Sequence, residues 1–411
     1  MGADFLPIGR RVAHLRTRRK LSQQMFADRL GKSKSWVDKV ERGVRALDRV
    51  STLQEIATVL RIDATALLEQ DDAPVDVVER DEGVERIRAA LSRYEIPLGR
   101  SSPQRPALSI DQVNRTTAHA WTAFQHARYP QVVNLLPDLL VDVERTRAHQ
   151  PGPGQVPLVD AYRVAAAVLV KLGAPGPAWL AVDRAMNVAA NDGVLVASAA
   201  VQLGQVLRTS GWAREAKSVT LAAAYRIIPP VIECGLPEQL SLCGALLVQA
   251  ALAAAHDGDG AAAAELLDEA AGMAERVGDG KDHHRTGFGP TAVELARTAS
   301  AVELGDSGGA VARHETNIQR DGWRWLPAEH RAAYLIDAAR AYLHSDDPIN
   351  AARLLVDADR LAPAEVRQRP AARAMLADIA RAPGAPATII RLATVLRVRD
   401  RQSHPGQHPA R

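Results

Sequence analysis

Residues 110–400 of this 411-residue chain alternate between helical segments and short breaks rich in Gly, Pro, Asp and Asn. Most of the segments have room for helices of roughly four or five turns. Taken in pairs, they recur on the order of every 35–50 residues, which is the range of helical solenoids. Aromatic residues make up only 4% of the chain, whereas strands favour aromatic and β-branched residues. The pattern therefore predicts an all-α protein built largely of close-packed helical hairpins.

A second pattern lies near the N-terminus, between Leu21 and Gly43. Ser22 and Ser33 are each placed to cap a short helix, and Gly31 can adopt the positive φ of a tight turn between them. The stretch therefore predicts two short helices joined by a turn, with Gly43 ending the second helix. The inward-facing residues at helical spacing are Met25, Phe26 and Leu30 in the first helix, and Trp36, Val37 and Val40 in the second.

Three of the seven lysines in the chain, Lys32, Lys34 and Lys39, fall in or just before this second helix. A positive charge at a helix N-terminus opposes the helix dipole, so Lys32 and Lys34 cost stability there. Residues 1–70 hold 14 basic and 8 acidic residues, against 37 and 40 in the remainder. A solvated basic face is the simplest explanation, but a DNA phosphate or a guanine edge would make the same charges favourable.

Residues 8–68 resemble the helix-turn-helix domain of the lambda-repressor/Cro type, the Xre family. The resemblance implies a five-helix domain whose third helix enters the major groove of DNA. The fourth helix would begin at Asp48 or Ser51, and the fifth at Asp63. The matching positions are Leu21, Ser22, Gln23, Ala27, Leu30, Gly31, Ser33, Trp36, Val37, Val40, Glu41 and Gly43.

The same resemblance assigns roles to individual residues. Lys34, Ser35 and Lys39 would face base edges. Arg16 and Glu41 match an ion pair that ties the first helix to the third. Trp36 is expected in the core, with contact to a thymine methyl group as the alternative. Gln23, Lys32, Arg42 and Arg45 would contact phosphates. The full predicted DNA-binding set is Gln23, Lys32, Ser33, Lys34, Ser35, Lys39, Arg42 and Arg45.

One unit of the second region, residues 335–363, closely resembles the tetratricopeptide repeat. Segments 121–139 and 162–189 match less well, and 192–228, 236–277 and 289–320 keep only the small and apolar periodicity. The predicted fold is therefore an N-terminal five-helix lambda-repressor-like DNA-binding domain followed by a tetratricopeptide-like helical-hairpin solenoid. The matching residues of the clearest unit are Ala339, Tyr342, Ala351, Leu355, Ala358 and Pro363.

The predicted domain limits are 1–70 for the helix-turn-helix domain, 71–109 for a linker, 110–400 for the repeats and 401–411 for a disordered tail. The linker contains one amphipathic helix, Val84–Tyr94, which could pack on the preceding domain, on the repeats or on a second copy of itself.

Together the two resemblances imply a sequence-specific DNA-binding transcriptional regulator whose repeats sense a signalling peptide or small molecule. Such a regulator is expected to bind an inverted-repeat operator in double-stranded DNA as a homodimer. Asn114, Asn187 and Asn191 are candidates for holding a peptide, although a solvent-facing or capping role is simpler. The ligand-binding residues are otherwise unassigned. The alternative is a scaffold or antitoxin-like protein that recruits a protein partner through the repeats, with DNA binding secondary.

The sequence contains no pattern of catalytic residues, so we predict no enzymatic activity and no cofactor. Lys281 is followed by Asp rather than the Ser or Thr of a phosphate-binding loop. His283 and His284 lack metal-ligand spacing to Cys234 and Cys243, so no metal is expected, and both cysteines are predicted to be core residues. No apolar run suited to a membrane span or signal peptide is evident, which predicts a cytoplasmic protein without a membrane partner.

Overall fold

A computed structural model describes residues 8–42, 50–60, 62, 75–93, 106–382, 384–396 and 398. Every regular element in these ranges is helical, which confirms the all-α prediction. The chain divides into two compact units, Met1–Val78 with Arg391–Arg399, and Glu79–Ile390 with Asp400–Arg411. This division differs from the predicted domain limits, because residues 391–399 group with the first unit. The predicted tail, 401–411, lies outside the described residues.

The first unit contains four described helices around a small apolar core. Ser22 and Ser33 begin α2 and α3, as the sequence predicts. The fifth helix, expected from Asp63, lies outside the described residues. The helices are α1 (Ile8–Arg18), α2 (Gln23–Leu30), α3 (Lys34–Glu41) and α4 (Val50–Leu60). Their buried core residues are Val12, Leu21, Phe26, Ala27, Leu30, Val37, Ile56, Ala57 and Leu60.

The linker helix, α5, spans Val75–Leu91 and begins nine residues before the predicted start at Val84. Its last two turns pack on the first repeat. A Cβ on Gly83 would overlap the side chain of Val133, and Arg86 Nη2 donates a hydrogen bond to Asn134 Oδ1 at 2.8 Å. The sequence allowed three packing partners for this helix: the preceding domain, the repeats or a second copy of itself. These contacts show that the repeats are the partner of its C-terminal end.

The second unit consists mainly of six consecutive helical hairpins, followed by three shorter helices. The helix after each break begins with Pro at its first turn or with an Asp, Gly or Ser nearby, because these residues start helices well. The hairpins pair α6 (Ile110–Gln125) with α7 (Tyr129–His149), α8 (Gln155–Lys171) with α9 (Pro175–Ala189), α10 (Gly193–Thr209) with α11 (Ala213–Ile227), α12 (Pro237–His256) with α13 (Gly260–Val277), α14 (Pro290–Glu303) with α15 (Ser307–Asn317), and α16 (Ala328–His344) with α17 (Pro348–Leu361). The last helices are α18 (Pro363–Arg367), α19 (Pro370–Arg381) and α20 (Ala387–Val395).

The first helix of each hairpin packs against the first helix of the next, which makes an inner layer of α6, α8, α10, α12, α14 and α16. Small residues allow this close approach. Gly204 in α10, for example, lies close to α12, since a Cβ at that position would be 3.5 Å from the Cβ of Gln249. The alanine-rich composition therefore sets the close spacing of the inner helices.

The inner layer curves until its ends meet, because α16 of the last hairpin contacts α6 of the first. The sequence predicts a helical-hairpin solenoid but not its curvature, and in the structure these six helices form a ring around a cavity. Curvature accumulates from a small rotation at each repeat, and the spacing of breaks in the sequence does not set that rotation.

A buried ion cluster joins the two ends of the ring. Lys171, the last residue of α8, forms ion pairs with Glu329 of α16 and with Glu365 of α18, the second at 2.9 Å. Tyr129 donates a hydrogen bond to Glu365, and Arg369 pairs with the same carboxylate at 3.3 Å. Both carboxylates are at most 6% exposed, so the cluster connects the first two hairpins to the last helices away from solvent.

The charged forms dominate in this cluster despite the cost of burial. Burial lowers the pKa of Lys171, but Glu329 and Glu365 outweigh it and hold that pKa above its usual 10.5. Burial likewise raises the pKa of Glu329, but Lys171 and His330 hold it below its usual 4.5.

The helix α12 is long and apolar enough by length and composition to cross a membrane, which the sequence analysis did not anticipate. No other helix in the described part of the chain meets both criteria. Leu240, Leu242, Leu246 and Ala250 of α12 are buried in the core of the repeat unit. Its apolar character is therefore accounted for by burial between neighbouring helices.

Replacing Lys171 with Met should destabilise the repeat unit by about 3–5 kcal/mol, because Glu329 and Glu365 would remain buried without their cation. Denaturant unfolding followed by circular dichroism measures the change. Lys217→Met is the matched control, since Lys217 pairs with Asp259 at 3.2 Å in a partly exposed position. It should cost less than about 1 kcal/mol. Equal effects of the two substitutions would contradict a structural role for the cluster.

The difference between the wild type and Lys171→Met should also depend on pH. The lowered pKa of Glu329 means that its contribution is present above about pH 4.5 and is lost as the pH falls below that value. The raised pKa of Lys171 means that its contribution is present below about pH 10.5 and is lost above it. The stability difference should therefore be largest between these limits and shrink in acid. A difference that stays constant down to pH 3 would contradict this account.

Candidate nucleic-acid interface and ligand cavity

The turn between α2 and α3 has the local geometry that the sequence predicts. The Ser22 hydroxyl accepts a hydrogen bond from the Met25 amide and the Ser33 hydroxyl one from the Trp36 amide, both at 3.1 Å. Gly31 adopts φ 63°, in the left-handed region that favours glycine. Each cap satisfies an amide that the helix itself leaves free, so the start of α3 is defined by its own sequence.

The predicted DNA-binding residues between positions 32 and 42 are all exposed to solvent. Within the described ranges, Lys34, Ser35 and Lys39 have no side-chain hydrogen bond or ion pair. Val37 and Val40 on the opposite face of α3 are buried. The helix thus presents a polar, basic face to solvent and an apolar face to the core. The exposed members of the set are Lys32, Ser33, Lys34, Ser35, Lys39 and Arg42, whereas Arg45 lies outside the described residues.

Two of the predicted phosphate contacts have carboxylate partners at the surface. Arg42 Nη2 lies 2.5 Å from Asp38 Oδ2, and Lys32 Nζ lies 4.0 Å from Glu55 Oε2. Ion pairs this exposed contribute little to stability. Both cations can therefore exchange their carboxylate for a phosphate at little cost.

Arg16 and Glu41, the residues expected to tie α1 to α3, form a two-point ion pair. Arg16 Nε donates to Glu41 Oε1 at 2.5 Å and Nη2 donates to Oε2 at 3.1 Å. Arg16 Nη1 also donates to the Leu21 carbonyl at 2.6 Å, so one guanidinium holds α1, α3 and the start of α2 together.

Gln23 differs from its prediction as a phosphate contact. Its Nε2 donates to Glu41 Oε2 at 2.7 Å, which makes it a third member of the Arg16–Glu41 network. A buried carboxylate has more acceptor sites than one Arg fills, and Gln23 is the donor that a single sequence could not place there. One N–H of this amide group remains for a phosphate.

The packing of α3 shows two further features. Trp36 is neither fully buried nor free, because its partly exposed ring packs against the core of this unit. Gly9 of α1 allows that helix to approach the end of α3, since a Cβ there would overlap the Val40 carbonyl oxygen. The sequence analysis missed Gly9, although a glycine inside a helix is a known signal of close packing.

The ring of inner helices surrounds a half-open cavity of about 470 Å³. All six inner helices contribute side chains, and the segment from Arg285 to Phe288 covers part of it. That segment is held by Arg163, whose Nη2 donates to the His284 carbonyl at 2.8 Å. The volume is within the usual range for small-molecule sites.

The lining of the cavity combines an apolar wall with polar and charged groups, among them Gln202, Arg208 and Gln249, and the charged residues Lys171, Arg285, Glu329, His330, Asp337 and Arg369. Arg163 Nε donates to Gln202 Oε1 at 2.9 Å. Three other polar atoms are buried without a hydrogen-bond partner in the described part of the chain: Trp121 Nε1, Arg208 Nε and Gln249 Oε1. Unsatisfied buried groups are rare in folded proteins and need an explanation.

The asparagines proposed from the sequence do not line this cavity. Asn114, Asn187 and Asn191 are exposed, and Asn187 donates to Asp183 within its own helix. The polar residues that line the cavity were missed. Gln202, Gln205 and Arg208 recur every three residues on the otherwise apolar α10, and this periodicity was the available signal.

The cysteines differ in their environments. Burial raises the pKa of the Cys243 thiol to about 12, as expected for a core residue. Cys234 is exposed, so the prediction that it belongs to the core is wrong. It lies in the three-residue 3₁₀ turn Ile232–Cys234, which has no buried residue. Across the described ranges, no group of three His, Cys, Asp or Glu side chains is arranged to hold a metal ion.

Comparison with known proteins identifies the first unit. Residues 7–70 match a family model described as a helix-turn-helix domain. No curated protein matches the chain. Among solved structures, one similar chain is Bacillus thuringiensis PlcR in complex with the peptide PapR7 and DNA, at 11% identity and a TM-score of 0.35. The similarity covers 76% of this chain and 94% of that one. With so low a TM-score, no property of that complex is transferred to this chain.

The family match and the geometry of α2 and α3 agree. Residues 7–70 are similar to helix-turn-helix domains, the type of module with which regulators bind DNA, and α1 to α4 are the described helices in that range.

Replacing Glu41 with Gln should loosen this domain by about 2 kcal/mol, because Arg16 would lose its charged partner in a largely buried site. Hydrogen–deuterium exchange of the full-length protein, read over residues 8–42, measures the loss. Asp38→Asn is the control, since it removes a carboxylate from the same helix but from an exposed pair. If both variants exchange at the same rate, the buried network does not hold α1 to α3.

Proposed function

We propose that this protein is a sequence-specific transcriptional regulator that acts in the cytoplasm and binds double-stranded DNA through α3. The observation that carries the proposal is the basic face of α3, where Lys34, Ser35 and Lys39 are exposed and unpaired in the described structure. The region also matches a helix-turn-helix family model, and such domains place their second motif helix in the major groove.

The positive charges of this face are unfavourable in the isolated helix and would be favourable next to DNA. Lys34 at the first position of α3 is repelled by the helix dipole, whereas a guanine edge would attract it. Lys32, Ser33 and Arg42 flank the same face and would contact phosphates, as would Arg45 beyond the described part. A lysine that contacts a base contributes specificity, and a residue that contacts a phosphate contributes affinity that depends on salt.

The second part of the proposal is that the repeat unit senses a ligand, peptide or small molecule, in its half-open cavity. A ligand that prefers one arrangement of the ring would shift the protein toward that arrangement. In a homodimer this would change the spacing of two DNA-binding domains and so their fit to an inverted repeat. A dimer is proposed because one such domain buries too little surface for typical specific affinity.

Two surfaces of the chain are candidates for the dimer interface. The end of α5, considered from the sequence as an interface, has Ile87, Ala90 and Leu91 buried within its own chain. The second surface that we propose as a candidate interface is the end of the repeat array, around α19 and α20.

Replacing both Lys34 and Lys39 with Ala should lower affinity for an operator by about 100-fold or more, since each base contact is worth about 1–3 kcal/mol. The operator is first selected from genomic fragments by the wild-type protein. Fluorescence anisotropy with the operator and a scrambled duplex then measures affinity at several salt concentrations. The double variant should bind both duplexes equally, whereas Arg42→Ala should weaken both alike and reduce the salt slope by about one.

The matched control for the double variant is Lys217→Ala with Lys281→Ala, which removes two lysines from the repeat unit and should leave operator affinity unchanged. Native mass spectrometry of the wild-type complex should give two chains per operator. Retained discrimination in the Lys34 and Lys39 variant would refute the proposed interface. One chain per operator would refute the dimer while leaving the interface intact.

A scaffold or antitoxin-like protein that recruits a protein partner remains the second candidate, and one observation favours it. Trp179 at the start of α9 and Trp212 just before α11 are 38% and 51% exposed, with their ring centroids 5.3 Å apart. Exposed tryptophans are enriched at protein interfaces.

Replacing Trp179 and Trp212 with Ala separates these two functions. If the scaffold function dominates, a partner that co-purifies stoichiometrically with the wild type from its native host should be lost, while operator selection is unchanged. If no such partner is found with the wild type, the scaffold hypothesis fails.

A further inference from the structure

Among the charged residues that line the cavity, Arg208 is the one without an ion pair in the described part of the chain. It lies in the last turn of α10 and lines the central cavity. Its Nε is buried without a hydrogen-bond partner, and no carboxylate of the described chain lies within ion-pair distance of its guanidinium. Burial therefore lowers the pKa of Arg208 from its usual value.

The charges around Arg208 do not supply a partner. Glu303 and Asp337 attract it from a distance, while Arg340 and Arg369 repel it. Both carboxylates are already engaged, because Arg340 pairs with Glu303 at 3.0 Å and with Asp337 at 3.3 Å. The guanidinium thus lines the cavity without a direct ion-pair partner in the described structure.

A second cation at the same cavity differs from Arg208 because it has ion-pair partners. Lys171 also lines the cavity but has two carboxylates, Glu329 and Glu365, in direct contact. Burying an unpaired cation is costly, and folded proteins rarely retain one without compensation. The missing partner of Arg208 is therefore expected to be an anion that enters the cavity.

The other residues of the lining indicate what kind of molecule could carry the negative charge. Trp121 and Phe124 of α6, Leu252 of α12 and Phe288 form an apolar wall. Trp121 is 2% exposed, and its Nε1–H points to no acceptor in the described structure. An aromatic body would pack on this wall, and a hydrogen-bond acceptor on it could satisfy the indole.

We propose that the cavity binds a small organic monoanion, a carboxylate on an apolar or aromatic body, with Arg208 as the residue that binds the carboxylate. One uncompensated cation matches one negative charge, and the planar guanidinium suits two-point binding of a carboxylate. The cavity volume of about 470 Å³ fits a small molecule. The inference deepens the proposed ligand sensing, on which it rests, by naming the class of ligand and its anchor.

The position of the site links binding to the closed ring. An anion on Arg208 with its body against Trp121 would contact α10 and α6, beside the Lys171 cluster that joins the ends of the ring. A ligand that binds only the closed arrangement stabilises it in proportion to its concentration relative to Kd. The regulator would then respond to the concentration of an organic acid.

The test uses 2-naphthylacetate as the probe and its neutral amide, 2-naphthylacetamide, as the comparison. Isothermal titration calorimetry of the full-length protein should show one site for the acid and at least tenfold weaker binding of the amide. Arg208→Gln should weaken binding of the acid at least tenfold and leave binding of the amide unchanged. Arg214→Gln is the matched control, because Arg214 lies in the next helix and is 82% exposed. It should bind the acid as the wild type does.

A thermal unfolding measurement guards against a variant that fails for structural reasons. Because the Nε of Arg208 is buried without a hydrogen-bond partner, Arg208→Gln should unfold at the same temperature as the wild type or higher when no acid is present. The acid should raise the unfolding temperature of the wild type and of Arg214→Gln, but not that of Arg208→Gln. A purely structural role for Arg208 predicts the opposite, a lower unfolding temperature without acid.

Three results would overturn the inference: no saturable binding of 2-naphthylacetate at millimolar concentration, equal binding of the acid and the amide, or unchanged binding of the acid by Arg208→Gln. Neither measurement contains DNA. A failure here therefore leaves the α3 interface standing, and a failure of the operator experiment leaves the cavity site standing.

Discussion

The contact of Lys171 with Glu329 and Glu365 is the interaction on which the architecture of the repeat unit depends. It joins the end of α8, in the second hairpin, to helices more than 150 residues later in the chain. Without it, six hairpins would still stack, since each inner helix packs on the next. With it, the inner layer closes and its concave surface becomes a cavity. A buried ion pair is often no more stabilising than an apolar contact, but it is intolerant of separation. It therefore holds the ring in one arrangement.

The two cations at this cavity have opposite environments, and the difference distinguishes a structural residue from a binding residue. Lys171 is surrounded by carboxylates that compensate its burial, so its charge stabilises the fold. Arg208 has a buried Nε and no carboxylate in contact, so burial lowers its pKa, and the proposed anion would compensate its charge. The same physical penalty, desolvation of a cation, explains both why one residue stabilises the ring and why the other points to a ligand.

In the helix-turn-helix domain, a buried network supports an exposed interface. Glu41 accepts from Arg16 and Gln23, and this fixes α3 from its core side. Lys34, Ser35 and Lys39 on the other side are free of internal partners in the described part of the chain. A helix held this firmly can present flexible lysines in a fixed register, which is what recognition of base edges requires. Gln23 has a role that the family pattern did not indicate, because its amide completes this network, and its contact with a phosphate stays a prediction.

The amino-acid sequence by itself determined the features that depend on near neighbours along the chain. Helix caps at Ser22 and Ser33, the turn at Gly31, the apolar faces of α3 and of the repeats, and the number of helices in each hairpin all follow from local spacing. The Arg16–Glu41 pair was also predictable, because a family pattern fixes its two positions. Tertiary structure alone decided the closure of the ring, the cavity and the role of Arg208. These depend on small rotations that add up over six hairpins and bring α6 to α16. The periodicity of the sequence does not show the total rotation of the array. The cavity that the polar residues of α10 line therefore becomes visible only in the tertiary structure.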